Sequence, residues 1–322
     1  MKWHNWRVPV AFLAAVILLP LVVGSYSTAT EIWIFGILAV AFNLLLGYTG
    51  LLSFGQATFF GLGAYTSGLL LVHYQPNVFV ALAAGALAGG LAALIIGYFC
   101  VRGMGGIYFI LLTFSFNLMV YFVAYEWTSL TGGEDGLGGV GRPGLSIPLF
   151  LFVSLKPHLS YYIFTVVVVL SCYYIIGRIV RSPFGKVLQL IRENETRASA
   201  VGYNIRLYKL LAFTVAGLFS GLAGMLYAGL FEYVPIEVVE WSTSGNIVFM
   251  TLIGGMGNMI GPLLGAGIFI WLSDSLSVMW DRWPLILGLI FMAVILFFPG
   301  GILQIFSRFA RSLPTWKASD ER

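Results

Sequence analysis

The sequence predicts an all-α integral membrane protein: a polytopic helical bundle of about eight crossings plus one re-entrant, glycine-broken hairpin. Three observations predict it. Of the 322 residues, 59% are hydrophobic and 9% charged, whereas a soluble domain carries about 25% charged residues. The apolar residues fall into runs of spanning length separated by short polar connections. The lysines and arginines collect in those connections, as orientation in a bilayer demands. They form no single solvated basic face, so the net charge of +4 is no nucleic-acid signal. Residues 1–322 read as one transmembrane domain, with no soluble stretch long enough to fold separately.

Residues 1–7 are short and basic, with Trp3 and Trp6 placed as interface anchors. Residues 8–24 form the first apolar run. A basic start before an apolar core has the outline of a signal peptide, but the run continues Gly24-Ser25-Tyr26 with no A-x-A-like site, so an uncleaved helix with its N-terminus inside is expected. The second and third runs cover about 31–46 and 54–72. The fourth, about 78–101, carries Gly85 and Gly89 in the G-x-x-x-G spacing that suits close helix contact. The fifth, about 107–125, contains Asn117. Residues 126–158 then read as a glycine-rich external loop. Its Gly136, Gly138 and Gly141 satisfy G-x-G-x-x-G, yet no strand precedes and no helix follows, so a dinucleotide site is rejected. The sixth run is about 161–176 and the seventh about 210–231, the latter with Gly217, Gly221 and Gly224. Cys100 and Cys172 lie in apolar runs without metal-ligand spacing and read as small buried hydrophobes.

The chain is organised around residues 43–68, NLLLGYTGLLSFGQATFFGLGAYTSG. The stretch is apolar enough for a bilayer but is interrupted by glycines and by Asn43, Ser53, Gln56 and Thr58. Irregular backbone and polar amides at membrane depth are costly unless they face protein or a water-lined path. A glycine-interrupted apolar segment therefore points to a translocation site. Helix packing explains the glycines equally well, but it explains the Ser53–Gln56–Thr58 cluster poorly. Asn117 and Asn246 are further polar candidates for the path. A second interruption falls in the other half of the chain, within 245–273, at Gly254, Gly255, Gly257 and Asn258. The arm before it is too short for a hydrocarbon core of about 30 Å, so two half-helices forming a re-entrant hairpin are expected. Two corresponding breaks suggest an inverted repeat with a path between the halves. A final run, about 284–302, precedes a basic tail.

Residues 177–209 are the most charged part of the chain, with seven basic residues against Glu193 and Glu195. That excess places the segment, about 178–209, in the cytoplasm. Pro183 can open a helix, and Val187, Leu190 and Ile191 then share one face. The acidic connection 232–244 and the loop 126–160 fall outside. The tail returns inside only if the 245–273 segment makes no net crossing, which agrees with its break.

No Asp, Glu, Lys or Arg lies deep in an apolar run, which disfavours a proton-coupled carrier. No G-x-x-x-x-G-K-[ST] loop occurs, so energy for active transport would enter from another subunit. Five segments carry a resemblance: GYTGLLSFGQATFFGLGAYT (47–66), TGGEDG (131–136), IRENETRASAVGYNIRLYKLLAF (191–213), TLIGGMGNMIGPLLGAG (251–267) and FFPGGIL (297–303). Together they resemble the permease subunits of branched-chain amino-acid ABC importers, the LivM type, from about residue 34 to 301.

The resemblance implies a second, related permease, two ATPase subunits docking from the cytoplasm and an external solute-binding protein, in a bacterial inner membrane with both termini cytoplasmic. It implies no cofactor in this chain, ATP and magnesium being held by the ATPases. It places ETRASAVG (195–202) as the coupling loop, with Phe184, Lys186, Leu190, Ile191, Arg192, Glu195, Ala198 and Gly202 as contact residues. The helix around 184–200 is expected to seat its apolar face in an ATPase groove and to tilt the neighbouring spans. Half-helix N-termini would meet a solute carboxylate. Phe54, Phe59 and Phe60 are candidates for contact with its apolar side chain, although packing accounts for them as well. Sister systems carry amides or urea, and a stand-alone channel or ion-coupled carrier is the competing class.

Overall fold

The structure is a computed structural model and describes residues 18–74, 77–102, 106–142, 145–147, 151–153, 155, 157–279, 282–297 and 301–302. Residues 18–23 are helical; the rest of the first apolar run, the N-terminal basic residues and the basic tail lie outside the described residues. The principal helices are α1 (Tyr26–Leu46), α2 (Gln56–Tyr74), α3 (Val78–Arg102), α4 (Ile107–Glu126), α5 (His158–Arg181), α6 (Pro183–Glu193), α7 (Glu195–Ala200), α8 (Ile205–Phe231), α9 (Trp241–Gly254), α10 (Gly261–Met279) and α11 (Trp283–Phe297).

Among the described residues six helices are long and apolar enough to cross a membrane: α1, α3, α4, α5, α8 and α10. The chain is a multi-pass helical membrane protein. α2 is not among the six: it opens on Gln56 and Thr58 and carries three glycines. α9 and α11 are excluded by length, with 14 and 15 residues. One end of the bundle carries α6, α7 and their basic residues. The other carries Glu126, Glu134, Asp135 and Glu232.

The core is a glycine seam. α8 packs on α2 and α3 so closely that a Cβ on Gly63 would stand 2.2 Å from the Gly221 carbonyl oxygen, and one on Gly89 2.5 Å from that of Gly217. The Gly85–Gly89 pair therefore makes the close contact its spacing predicts. Gly63 does so too, which assigns it to packing rather than to a path. Phe59 and Phe60 are fully buried beside it, edge-on to Phe213 at 5.1 Å and Tyr227 at 5.4 Å, so they belong to the core.

The loop at the acidic end is more ordered than its composition suggests. It contains a helical turn (Thr128–Thr131), a 3-10 turn (Gly133–Asp135) and an antiparallel hairpin of Leu145–Ile147 with Leu151–Val153. Strands of three residues are too short for alternation to reveal them. Leu137 bridges Val234 across two loops. Arg142 fastens this layer to the end of α8. Its Nε donates to the Gly229 carbonyl at 3.3 Å and lies 3.1 Å from a Glu232 carboxylate oxygen, and one Nη donates to the Leu230 carbonyl at 3.1 Å.

Candidate functional site

Both interruptions expected from the sequence are present. α1 stops at Leu46, residues 47–55 are non-helical, and α2 begins at Gln56. Its start lies inside the bundle. Ser220, near the middle of the 27-residue α8, donates to Gln56 Oε1 at 3.3 Å. The Ala57 N–H donates to Ser244 Oγ at 2.9 Å, and Ser244 Oγ donates to Asn117 Oδ1 at 3.0 Å. Asn117 sits near the middle of the 20-residue α4, and its Nδ2 donates to the Val239 carbonyl at 2.6 Å. Much of the irregular backbone leading here is satisfied by protein. Phe54 N–H donates to Thr113 Oγ1 at 3.2 Å and Gly55 N–H to Ser53 Oγ at 3.1 Å, as a dry environment requires.

Ser244 belongs to the first turn of α9, so α9 begins in the same layer. The two helices then diverge. α2 runs to the acidic end, where Gly68 lies against Leu137, Val140 and Val234. α9 runs to the basic end, covering about 21 Å at 1.5 Å per residue. Two half-helix N-termini thus converge mid-bundle with opposite onward directions. Their dipoles place partial positive charge at one locus, the arrangement that discontinuous transporter helices offer to an anionic group. Gln56 Nε2 and Thr58 Oγ1 are buried beside it with no hydrogen-bond partner among the described residues, an uncommon condition for buried polar groups. Phe54, Phe114 and Trp241 form an aromatic row next to it, with centroids 6.3 Å apart at each step. Trp241 is 49% exposed on the flank of the chain. Asn246, on the same helix, is half-buried and makes no side-chain hydrogen bond among the described residues.

The second interruption lies elsewhere. After Gly254 the backbone turns through Gly255 (φ +105°) and Gly257 (φ +76°), and Asn258 Oδ1 accepts from the Ile260 N–H at 3.1 Å before α10. The hairpin has one short leg and one of spanning length, not the two half-helices expected. Its tip reaches the basic end. There Asn43 Nδ2 donates to the Asn258 carbonyl at 2.8 Å and Asn43 Oδ1 accepts from the Gly257 N–H at 3.0 Å. The proposed path residues therefore divide into two layers: Ser53, Gln56, Thr58 and Asn117 mid-bundle, and Asn43, Gly255, Gly257 and Asn258 at the basic end.

The basic segment departs from expectation in two respects. It is two helices, not one around 184–200. Asn194 takes extended backbone (φ −162°), ending α6, and its Oδ1 accepts the Arg197 N–H at 2.9 Å, opening α7. Pro183 does open α6. The apolar face, moreover, is covered by the chain itself. Val187, Ile191 and Ala198 are buried against Ile205 and Tyr208, and Phe184 stacks on Tyr208 at 5.6 Å. Val187 and Ile191 are thereby closed to a partner, whereas Phe184 and Leu190 are half-buried and stay partly accessible. Lys186, Arg192, Glu193, Glu195, Arg197 and Gly202 remain exposed.

One residue escaped the sequence reading. Lys209 is 8% exposed at its side chain and pairs with Glu195 at 2.7 Å. Only its position at the head of an apolar run hinted at a buried charge. Arg192, an ATPase contact by resemblance, makes a bond that no local signal announces: its Nη1 donates to the Gly47 carbonyl, 145 residues away.

A family model described as "Branched-chain amino acid transport system / permease component" matches residues 25–299. The chain is 26% identical over 316 residues to the high-affinity branched-chain amino acid transport system permease protein LivM of Escherichia coli, covering 92% of this chain and 74% of that protein. LivM of Salmonella typhimurium is likewise 26% identical, over 88% of this chain and 70% of its own. The autoinducer 2 import system permease protein LsrC of Klebsiella pneumoniae is 28% identical over 41% of each chain. No solved structure matches.

Proposed function

This chain belongs to the branched-chain amino-acid transport permease family, and from that premise we propose that it is the membrane subunit of an ATP-driven importer of branched-chain amino acids. The observation that carries the reading is the mid-bundle meeting of the α2 and α9 N-termini beside an aromatic row. The helix ends suit the solute carboxylate, and Phe54, Phe114 and Trp241 suit its branched apolar side chain. Because that row lies on the flank of the chain, a second, homologous permease completes the path. Lipid covers the remaining apolar faces.

The lysine and arginine excess supports a cytoplasmic α6–α7 end, and with it cytoplasmic termini, in a bacterial inner membrane. The acidic end then faces outward, where a solute-binding protein delivers the cargo. Two ATPase subunits, which hold the ATP and magnesium, dock on the exposed polar side of α6–α7 and on 195–202. With Lys186, Glu195 and Gly202 on that side, docking uses polar and backbone contacts in place of an apolar knob.

The test is uptake into proteoliposomes holding this chain, its partner permease, the ATPases and the binding protein. Labelled leucine should enter only with ATP and the binding protein, and isoleucine and valine should compete. Competition by urea or an amide but not by valine would assign the other substrate class. Uptake by this chain alone without ATP would overturn the importer reading in favour of a channel or carrier.

A further inference from the structure

Arg192 is an exposed residue of α6 whose guanidinium reaches across to the end of α1. Its guanidinium donates to the Gly47 carbonyl, just past the C-terminus of α1, where a cation is favoured by the helix dipole. Its aliphatic stem lies over Gly50, with Cγ 3.2 Å from where a Cβ would stand, and Nη1 is the same distance from a Cβ position on Gly257. Asn43, one turn before Gly47, holds Gly257 and Asn258 from the other side. One arginine therefore bonds the first interruption and lies beside the tip of the second. It does so from a helix that buries its apolar face on α8. A cleft of about 420 Å³ lined by Gly47, Tyr48, Gln189, Arg192, Glu193 and Gly257 adjoins the contact, so the guanidinium has room to shift.

We infer that Arg192 is a latch that transmits movement of the α6–α7 segment to both interrupted segments at once, rather than a residue that docks the ATPases. The inference rests on the importer reading above and assigns a positioning role within it. Displacing α6 outward draws Gly47 and Gly257 with it, through Arg192 and Asn43. The α1–α2 connection and the α9–α10 tip then move together, as alternating access around a fixed mid-bundle site requires. A neutral or shortened side chain at 192 leaves the ATPases attached and hydrolysing but loosens the linkage between their stroke and the path.

The experiment uses the full complex in proteoliposomes with Arg192→Ala and Arg192→Lys. ATPase co-purification, ATP hydrolysis and leucine uptake are measured together. A charge-assisted hydrogen bond of ordinary strength predicts a fall of about tenfold in uptake per ATP hydrolysed for Arg192→Ala. The ATPases should still co-purify, and Arg192→Lys, which keeps one cationic donor, should recover most of the loss. An unchanged ratio in Arg192→Ala overturns the latch alone, provided the unsubstituted complex shows ATP-dependent uptake. Loss of co-purification also overturns it, by making Arg192 a docking residue. ATP-independent uptake by the unsubstituted chain removes the importer reading and the latch with it. If the Arg192→Ala chain itself is not recovered folded from the membrane, Arg192→Gln is measured in its place against the same outcomes.

Discussion

Asn43 and Asn258, 215 residues apart, are joined by a 2.8 Å hydrogen bond from the Asn43 amide to the Asn258 backbone carbonyl. The other end of the same amide accepts the Gly257 N–H. One fully buried side chain thus holds both the donor and the acceptor of a loop that has few other partners. Asn43→Ala removes both bonds and strands two backbone groups, at a cost of about 2–3 kcal/mol. Asn43→Asp keeps the acceptor for the Gly257 N–H but loses the donor and sets an oxygen against the Asn258 carbonyl, so it should also be less stable than the unsubstituted protein. Thermal unfolding in detergent measures both; an Asp variant as stable as the unsubstituted protein would contradict this geometry.

The glycine seam predicts a contrast between two glycine-to-alanine changes. A Cβ on Gly221 would lie 2.2 Å from the Gly85 carbonyl oxygen, with backbone on every side. Gly221→Ala should cost about 3 kcal/mol or more through overpacking and lower the yield of folded protein. Gly245, inside α9, has nothing within 4 Å of its Cβ position. Gly245→Ala should be neutral, or up to about 1 kcal/mol stabilising, through helix propensity. Yield and midpoint by size-exclusion and thermal scans compare the two.

Lys209 and Glu195 predict a rescue. The ammonium is nearly closed off while its carboxylate partner is half exposed, at 8% and 54% of the side chain. Glu195→Gln leaves a buried charge short of its counter-ion and should cost about 1–2 kcal/mol, less than for a pair buried on both sides. Lys209→Met alone should cost less, and the double variant should recover most of the Glu195→Gln loss. Additive losses in the cycle would show that the two do not act as a pair.

Arg142 should govern the order of the loop layer at the acidic end. Arg142→Met removes donors to the Gly229 and Leu230 carbonyls and should cost about 2 kcal/mol, since hydrogen bonds to charged groups are the stronger class. Glu232→Ala should cost under about 1 kcal/mol, because Glu232 is an exposed partner. Limited proteolysis between residues 132 and 142 should accelerate in Arg142→Met and hardly at all in Glu232→Ala.

How much of this was legible beforehand depended on whether the signal was local. Pro183, the Gly85–Gly89 spacing and the two glycine interruptions are encoded within a few residues, and each landed where it was read. The mid-bundle start of α2 was also foreseeable, since Gln56 and Thr58 are too polar to be a lipid-facing first turn. What covers a face is not local. The stripe Val187–Leu190–Ile191 announces that something must bury it, but not that Ile205 and Tyr208 of the next helix already do. The same holds for Asn43, which reads as a path residue because its partners arrive more than 200 positions later. The short hairpin after Arg142 left no periodic trace at all.

The seam joining α2, α3 and α8 has a consequence for motion. Helices that meet backbone to backbone, without side chains to swap rotamers or slide past one another, have no second packing to switch into. Those three must travel as a single piece during a transport cycle. Whatever opens and closes must be sought in what is merely leaned against them: the short arm α9, its glycine tip, and the arginine and asparagine that hold the tip in place.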